Sequence, residues 1–261
     1  MSDQSGHILA HVEGNVGRLT LNRPDKRNAI TKAMWGALQA ALENWAARRS
    51  LRVVLITSSS DSFFSSGADL TEFERAVEQP RFREQTWNAL TGVLTLLREF
   101  PMPTIAAVAG NCSGAGCALA LAADLRIVAA DAKFSVPPAR LGLVYPLADT
   151  ARLAALAGPA VARDMLFTGR SINAEQAYLF GLVNAVVAPE TLAAKASALA
   201  AEIAMNAPSS LAAAKRIMAK VEAGAVKDDA ESIALSLDAY DSDDFAEGLK
   251  AFKEKRKPDF G

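Results

Sequence analysis

A glycine-rich loop at residues 109–118 (AGNCSGAGCA) is the part of the sequence best suited to chemistry. It follows the apolar run 104–108 and opens into small residues that predict a helix over 117–123. Glycines let backbone amides approach a ligand closely, and a helix N-terminus adds partial positive charge. Such a loop can stabilise a developing oxyanion. It contains no acid, base or strong nucleophile, so any proton-transfer group must come from elsewhere in the chain.

Nucleotide-binding loops have a similar outline but a different glycine spacing. The glycines here are Gly110, Gly114 and Gly116, which do not match the dinucleotide pattern G-x-G-x-x-G. The Gly-Lys-Ser/Thr ending of a P-loop is also absent from this segment. A tight turn that packs a helix on a sheet explains the glycines as well as an oxyanion site does. From this segment alone, both interpretations remain open.

Length and composition favour a globular protein with a large core. The chain has 261 residues, of which 51% are hydrophobic and 22% charged, enough for one large domain or one domain with a helical extension. A net charge of −1 argues against nucleic acid or an anionic membrane as the main partner. No apolar run approaches the ~20 residues of a membrane span. Residues 1–7 are polar and lack the apolar core of a signal peptide, so we expect a cytoplasmic protein.

The cysteines and histidines exclude several catalytic classes. Cys112 and Cys117 share the glycine loop, and two cysteines alone make a poor metal site. We therefore interpret them as small buried packing residues and expect no metal. His7 and His11 lie near the N-terminus, far in sequence from the loop. A Ser-His-Asp or Cys-His catalytic set therefore lacks its base.

Strands and helices alternate in the first half of the chain, and helices dominate from residue 149 onward. Alternation implies a parallel or mixed sheet with helices outside it. Apolar periodicity predicts strands over 7–12, 16–22, 53–57, 104–109 and 125–129, and helices over 33–48, from about 69, and over 87–100, 117–123, 191–205, 210–222, 229–238 and 245–255. Thr31 is the predicted N-cap of the first helix.

Three segments together resemble the crotonase family, also called the enoyl-CoA hydratase/isomerase family. They are LNRPDKRNA at 21–29, SSGADL at 65–70 and GAG at 114–116. Agreement continues through 132–143, 166–184 and 251–258, so the resemblance spans nearly the whole chain in order. It implies an α/β fold, a crotonase-type spiral of ββα units with a C-terminal helical region. The implied domains are a core over 1–195 with the acyl-CoA site and a helical trimerisation region over 196–261, assembled as a homotrimer or a dimer of trimers.

The resemblance also implies the substrate class and its binding residues. The substrate would be a CoA thioester, with no cofactor other than the coenzyme A that the substrate carries. The backbone amides of Ala68 and Ala115 would bind the thioester oxygen as the substrate gains enolate character. The positions that correspond to CoA contacts are Lys26, Arg27 and Ala29 beside the nucleotide, Ser66, Asp69 and Leu70 along its path, and Phe252 and Lys255 from the C-terminal helix of this or a neighbouring subunit.

The sequence departs from the hydratases of this family at both of their glutamate positions. Ala118 and Pro138 stand there, and neither can transfer a proton. General acid–base catalysis contributes roughly 10²–10⁴-fold, so we expect standard hydration to be severely impaired. Isomerases of the family generally keep an acid at or near the second position, so Pro138 also argues against isomerisation.

Two side chains are candidates to replace the missing acids. Tyr145 stands where methylmalonyl-CoA decarboxylases of the family have a tyrosine, although the histidine that they have at the Ala68 position is absent here. A neutral tyrosine could orient a carboxylate or protonate an enolate, or it could simply be a packing residue; both interpretations remain open. Asp149 is the second candidate, and an N-cap of the following helix is its favoured interpretation.

The sequence thus predicts a crotonase-family enzyme that forms an enolate from an acyl-CoA thioester. The alternatives are a methylmalonyl-CoA-decarboxylase-like enzyme and a non-catalytic acyl-CoA-binding homologue. A thioesterase ranks last, because only Asp149 or a nearby glutamate could activate water.

The other acidic residues near these motifs are assigned no catalytic role. Glu72 and Glu74 are interpreted as a solvated helix face, and Asp124 as a structural residue.

Overall fold

A computed structural model describes residues 6–261 of the chain, in which two β-sheets are surrounded by helices. The strands are β1 Ile8–Glu13, β2 Val16–Leu21, β3 Val53–Ser58, β4 Phe63–Ser65, β5 Thr104–Val108, β6 Asn111–Ser113, β7 Leu125–Ala129, β8 Lys133–Ser135, β9 Ser171–Asn173 and β10 Ala185–Val187. The helices are α1 Lys32–Ala46, α2 Leu70–Glu78, α3 Pro80–Arg98, α4 Ala115–Ala122, α5 Leu147–Ala157, α6 Pro159–Thr168, α7 Ala174–Leu179, α8 Leu192–Ala204, α9 Pro208–Glu222, α10 Ala230–Asp238 and α11 Asp243–Glu254.

The strand order confirms the predicted spiral of ββα units. The larger sheet has the order β1-β2-β3-β5-β7-β10, and all its pairs are parallel except the β1–β2 hairpin. The smaller sheet has the order β4-β6-β8-β9, with only β9 antiparallel to its neighbour. In each of the pairs β3–β4, β5–β6 and β7–β8, the first strand joins the larger sheet and the second joins the smaller one. At least one helix follows each pair.

The core lies on both faces of the larger sheet. Alternate residues of β3 point to opposite faces: Val54 joins the main core with α1, whereas Val53 joins a second cluster with Ala196 and Ala200 of α8. The predicted domain boundary at residue 195 falls within α8. As predicted, the hydroxyl of Thr31 caps α1 by accepting a hydrogen bond from the Met34 amide at 3.2 Å.

Several predicted elements need correction. The strands β4, β6 and β8 were missed, because three residues carry too little alternation to identify a strand. The helix predicted from 87 begins at Pro80, since proline is tolerated at a first helical position. The helix predicted from 117 begins at Ala115. Helices do dominate from residue 149 onward, but the three-residue strands β9 and β10, which join the two sheets, were missed.

Glycines permit very close contacts where the chain crosses between the sheets. A Cβ added to Gly110, whose φ is +56°, would lie 2.0 Å from the Ser62 carbonyl oxygen. A Cβ added to Gly116 would lie 2.5 Å from the Cβ of Ser65 and 3.1 Å from the Ser65 carbonyl oxygen. The glycine loop is therefore packed directly against the segment that joins β3 to α2.

Gly116→Ala is expected to lower the free energy of unfolding by about 1–3 kcal/mol, because the new methyl group overlaps Ser65. Chemical denaturation monitored by circular dichroism measures this. Gly36→Ala is the matched control: Gly36 lies within α1 and has nothing within 4 Å of an added Cβ, so alanine should stabilise by about 0.5–1 kcal/mol. Equal stability of Gly116→Ala and the parent protein would contradict the overlap.

Candidate active site

Two loops meet at one end of the smaller sheet. The first leads from β4 to α2 and the second from β6 to α4, and β4 and β6 are parallel neighbours, so both loops leave the same edge. Gly67, with φ +106°, brings them into contact. A Cβ added to Gly67 would lie 3.1 Å from the Ser113 carbonyl oxygen and 3.6 Å from the Ala115 nitrogen. The two predicted oxyanion-binding segments are therefore adjacent.

The Ala115 amide lies at the N-terminus of α4. Ala115 is the first residue of that helix, so its N–H has no acceptor within the helix. The preceding Gly114 has φ 51° and ψ −117°, a conformation open essentially to glycine. This turn directs the Ala115 N–H out of the helix end, where the partial positive charge of the helix is greatest.

The Ala68 amide is left unused by its neighbours. Ala68 forms an isolated parallel bridge with Ile30: the Ile30 amide donates to Gly67 O at 2.7 Å, and the Asp69 amide donates to Ile30 O at 3.1 Å. In this pairing the N–H of Ala68 itself points away from Ile30. Over residues 6–261, neither this amide nor that of Ala115 donates to a protein acceptor. Two unpaired donors on contacting loops form a site suited to an oxyanion.

The loop that contains the predicted nucleotide contacts is held against the first of these segments. The Ser66 amide donates to Arg27 O at 2.9 Å, and the Ser65 hydroxyl donates to Asn28 O at 2.7 Å. Lys26 and Arg27 are exposed, Ala29 is half-buried, and the Arg27 guanidinium lies 5.3 Å from the centre of the Phe63 ring. The loop thus presents its cations to solvent beside the oxyanion segment.

Sequence reasoning missed the structural role of Asn28, whose side chain joins three segments through hydrogen bonds. It is fully buried with φ 53°. Its side-chain oxygen accepts from the Arg23 amide at 2.7 Å, and its side-chain nitrogen donates to Ser58 Oγ at 2.7 Å and to Phe63 O at 3.1 Å. Asparagine tolerates a left-handed conformation better than most residues, which is the signal that could have identified it.

Asp69 is engaged within the protein rather than left free for a ligand. It is the N-cap of α2, accepting from the Thr71 amide at 2.9 Å and from the Thr71 hydroxyl at 2.6 Å, and it forms an ion pair with Arg23. Burial by itself would raise the pKa of Asp69, but the hydrogen bonds from Thr71 and Arg23 outweigh it and hold the pKa below its ordinary value. Ser66 and Leu70, on either side of this turn, are exposed.

The two predicted contacts from the C-terminal helix are exposed in a single chain. Phe252 lies on α11 with 81% of its surface accessible, and Lys255 ends the helix with φ 53°. Over the described part of the chain, no hydrogen bond or ion pair joins either residue to the loop that contains Lys26 and Arg27. Their approach to the site from a neighbouring subunit stays a prediction.

Tyr145 reaches the glycine loop from the segment before α5. Its hydroxyl donates to Gly114 O at 3.4 Å, and the Ala118 amide donates to the same oxygen at 3.0 Å. The hydroxyl therefore lies beside Ala118, the first of the two positions where the acids of hydratases are expected. Burial raises the pKa of Tyr145 well above 10, and the neighbouring Cys117 and Asp149 add to the rise. Tyr145 is accordingly neutral at physiological pH.

Asp149 is not the N-cap of α5, so that interpretation was wrong. The N-cap is Pro146, and Asp149 is the third helical residue. Its carboxylate is 4% exposed and pairs with Arg98 of α3 at 3.1 Å. Burial raises the pKa of Asp149, while the hydrogen bond and charge of Arg98 oppose the rise. The Asp149 carboxylate is thus paired with a cation. Sequence reasoning could not have identified this partner, which lies 51 residues away in the chain.

The other acidic candidates have structural contacts. Glu72 is half-buried, and it accepts from the Lys32 amide at the start of α1 at 2.7 Å, so its interpretation as part of a solvated face was wrong. Glu74 is exposed, as predicted. Asp124 accepts from the Thr104 amide and from Lys215 Nζ, both at 2.7 Å, which confirms its structural role.

Cys112 and Cys117 are free thiols with no exposed surface, as predicted for packing residues. Within residues 6–261, no group of three or more His, Cys, Asp or Glu side chains could hold a metal ion.

Comparison with known proteins identifies the family. The sequence model described as "Enoyl-CoA hydratase/isomerase" matches residues 11–261. The chain belongs to the enoyl-CoA hydratase/isomerase family. A family relative, the carnitinyl-CoA dehydratase of Salmonella arizonae, is 37% identical over 253 residues, which cover 95% of each chain. The crotonyl-CoA hydratase of Syntrophomonas wolfei is 33% identical over 259 residues and 97% of each chain.

Solved structures of enoyl-CoA hydratase/isomerase family members have the same fold. An enoyl-CoA hydratase/carnithine racemase from Magnetospirillum magneticum superposes with a TM-score of 0.92 at 34% identity, over 98% of this chain and 95% of that one. An enoyl-CoA hydratase from Bacillus anthracis gives a TM-score of 0.88 at 31% identity, over 97% and 98% of the two chains. In the described part of this family member, no helix is long and apolar enough to cross a bilayer.

Proposed function

We propose that this protein is an enzyme that converts an acyl-CoA thioester through an enolate held by the amides of Ala68 and Ala115. The observation that carries the proposal is the contact between the two loops, which leaves both N–H groups without a protein acceptor. Each such donor typically stabilises a transition state by about 2.7–4 kcal/mol. Lys26 and Arg27 supply exposed cations for the phosphates of coenzyme A beside this site.

The surroundings favour an enolate that forms without a general base. Ala118 and Pro138 cannot accept a proton, and Asp149 is held by Arg98. Decarboxylation meets this condition: the bond between Cα and the carboxylate breaks, its electron pair forms the enolate, and carbon dioxide leaves. A neutral hydroxyl at Tyr145 can donate to the carboxylate, or supply a proton to Cα that solvent then replaces, once it leaves the Gly114 carbonyl oxygen that it contacts at 3.4 Å.

Two other functions remain candidates. Hydration is favoured by relatives that are named hydratases and dehydratases, and it requires another group to activate water in place of Ala118 and Pro138. Non-catalytic acyl-CoA binding retains the amides and the cationic loop and needs no acid or base. A thioesterase ranks below both, because its best base, Asp149, is buried in an ion pair.

Mass spectrometry of a thioester panel tests the proposal. Enoyl-, 3-hydroxyacyl-, malonyl- and methylmalonyl-CoA are incubated separately with the purified protein. Loss of carbon dioxide from a malonyl-type thioester supports the favoured reaction, and gain of water assigns hydration instead. Release of free coenzyme A indicates a thioesterase. Retention of unchanged thioesters on the protein indicates a binding protein and contradicts enzyme function.

We also propose a cytoplasmic homotrimer or dimer of trimers. Exposed apolar side chains on the last three helices and on the turn between α10 and α11 support an assembly through this region; they are Met218, Val221, Ile233, Leu237, Tyr240, Phe245, Leu249 and Phe252. Sedimentation equilibrium distinguishes a monomer of 27.5 kDa from either assembly.

A further inference from the structure

We infer that Arg23 is a positioning residue for the Ala68 amide, and that it acts through two peptide groups joined by a hydrogen bond. The inference rests on the proposed function, because it concerns how one of the two enolate donors is held. Arg23 lies in the polar segment after β2, two residues beyond the end of that strand. It is not among the positions assigned to coenzyme A.

The first step is the position of the Arg23 guanidinium between two segments of the chain. Its Nη1 donates to the Ala29 carbonyl oxygen at 3.0 Å and also to the carboxylate oxygen Oδ2 of Asp69. Asp69 directly follows Ala68, and the side chains of Arg23 and Asp69 are 16% and 7% exposed, respectively. Nη1 has two hydrogens, so both are used within the protein. The Asp69 carboxylate therefore holds the guanidinium against the Ala29 carbonyl.

The second step connects the Ala29 carbonyl to the Ala68 amide. The Ala29 C=O and the Ile30 N–H belong to one planar trans peptide, in which the two groups point in opposite directions. The Gly67 C=O and the Ala68 N–H are related in the same way. The Ile30 N–H donates to the Gly67 oxygen at 2.7 Å. Arg23 thus fixes the first peptide, the first peptide fixes the second, and the second determines the direction of the Ala68 N–H.

The third step is the lack of a substitute for Arg23. Over residues 6–261, each of the two carbonyl oxygens accepts only the hydrogen bond given above. Ile30 and Ala68 form an isolated bridge, and its other hydrogen bond, from the Asp69 amide to Ile30 O, orients neither carbonyl. Hydrogen bonds in series also polarise one another, so a cation at the start strengthens the donor at the end. Arg23 therefore contributes to both the direction and the strength of the Ala68 N–H.

The experiment compares the binding of two CoA thioesters to Arg23→Met. Acetoacetyl-CoA enolises readily, and its bound enolate is followed by ultraviolet difference absorbance; butyryl-CoA does not enolise measurably and reports ground-state binding by calorimetry. Both carry the same coenzyme A, so a disturbed nucleotide loop weakens both equally. The ratio of the two affinities, called here the enolate preference, therefore reports the oxyanion site.

We expect the enolate preference of Arg23→Met to fall about tenfold, because the Ala68 N–H is misdirected but still present; outright loss of such a donor costs roughly 10²- to 10³-fold. Arg23→Lys keeps a charged donor without the planar fork of the guanidinium, so it should retain more of the enolate preference than Arg23→Met. A residue needed only to fill space would show no such advantage of lysine over methionine.

The controls separate positioning from general damage. Arg23→Met leaves the buried Asp69 carboxylate without its cation, which destabilises the fold. The double variant Arg23→Met/Asp69→Ser removes that carboxylate and keeps an N-cap acceptor for α2, so it should fold and still show the lowered enolate preference. Arg170→Met removes an arginine that also pairs with an aspartate, Asp164, but lies beside β9, at the edge of the smaller sheet opposite β4; both affinities should stay within about twofold of the parent values.

Other outcomes overturn the inference or the function beneath it. An unchanged enolate preference in Arg23→Met would overturn the positioning role while the proposed function stands, and an equal loss of both affinities would instead assign Arg23 to coenzyme A binding. A double variant with the enolate preference of the parent protein would attribute the loss to the unpaired carboxylate and also overturn the role. A parent protein that binds no enolate would overturn the proposed function, and the inference with it.

Discussion

Proline in place of Ala115 is expected to reduce turnover of the CoA thioester by about 10²- to 10³-fold while the protein stays folded. Proline lacks the backbone N–H that would bind the thioester oxygen. It is also well tolerated at the first position of a helix, and Ala115 is the first residue of α4. The substitution therefore removes one donor and leaves the helix intact. Steady-state kinetics on the thioester identified in the panel, together with circular dichroism, measure both effects.

Ala115→Gly is the matched control for this prediction. Glycine keeps the N–H and removes only a half-buried methyl group, so turnover should change by less than about tenfold, even with the added flexibility of the loop. If the proline and glycine variants show the same turnover, the Ala115 amide has no role in the reaction and the enolate proposal fails.

Replacing Tyr145 with phenylalanine is expected to lower kcat by about 10²-fold, the lower end of the contribution of a positioned proton donor. KM should change little, because the ring and its packing remain. Since burial holds the pKa of Tyr145 well above 10, the hydroxyl keeps its proton at all ordinary pH values. Deprotonation of Tyr145 should accordingly cause no fall in kcat between about pH 7 and 9. The parent protein and Tyr145→Phe should therefore have pH profiles of the same shape over this range. A pH series of kcat for both proteins measures this.

Tyr178→Phe is a suitable control, because Tyr178 is 54% exposed on α7. Unfolding by denaturant should show Tyr145→Phe within about 1.5 kcal/mol of the parent protein, since one long hydrogen bond is lost. Full kcat in Tyr145→Phe would leave the side chain with a packing role only. In that case the choice between decarboxylation and acyl-CoA binding without turnover would have to rest on other residues.

The sequence predicted the fold well where local signals were strong. Strands of five or six residues such as β3 and β5 were identified from apolar runs, and the Thr31 cap from its position before an amphipathic helix. The ββα spiral was implied by the family resemblance, which rested on the order of the motifs rather than on any one of them. Three-residue strands such as β6 and β8 could not be predicted, because they exist only through pairing with distant segments.

For the candidate site, the sequence predicted the main-chain segments but not the contacts between them or between their side chains. Glycine spacing located the segment that presents the Ala115 amide, but the contact between Gly67 and that segment is a tertiary feature. The partners of Asp149 and Asn28 also come from elements distant in sequence. The N-cap interpretation of Asp149 relied on its position near the start of a helix. It was wrong because local sequence does not determine which distant charge a carboxylate contacts.

The two candidate oxyanion donors are main-chain atoms, and this has a consequence for how such a protein can diverge. A substitution at position 68 or 115 changes the side chain but keeps the N–H, unless it introduces proline or distorts the loops. Selection can therefore exchange the acids and bases around the amides while the enolate-binding centre persists. Ala118 and Pro138 are predicted to occupy positions of that exchangeable kind. A lineage can thus lose one reaction and acquire another while every ancestor in between still binds the enolate.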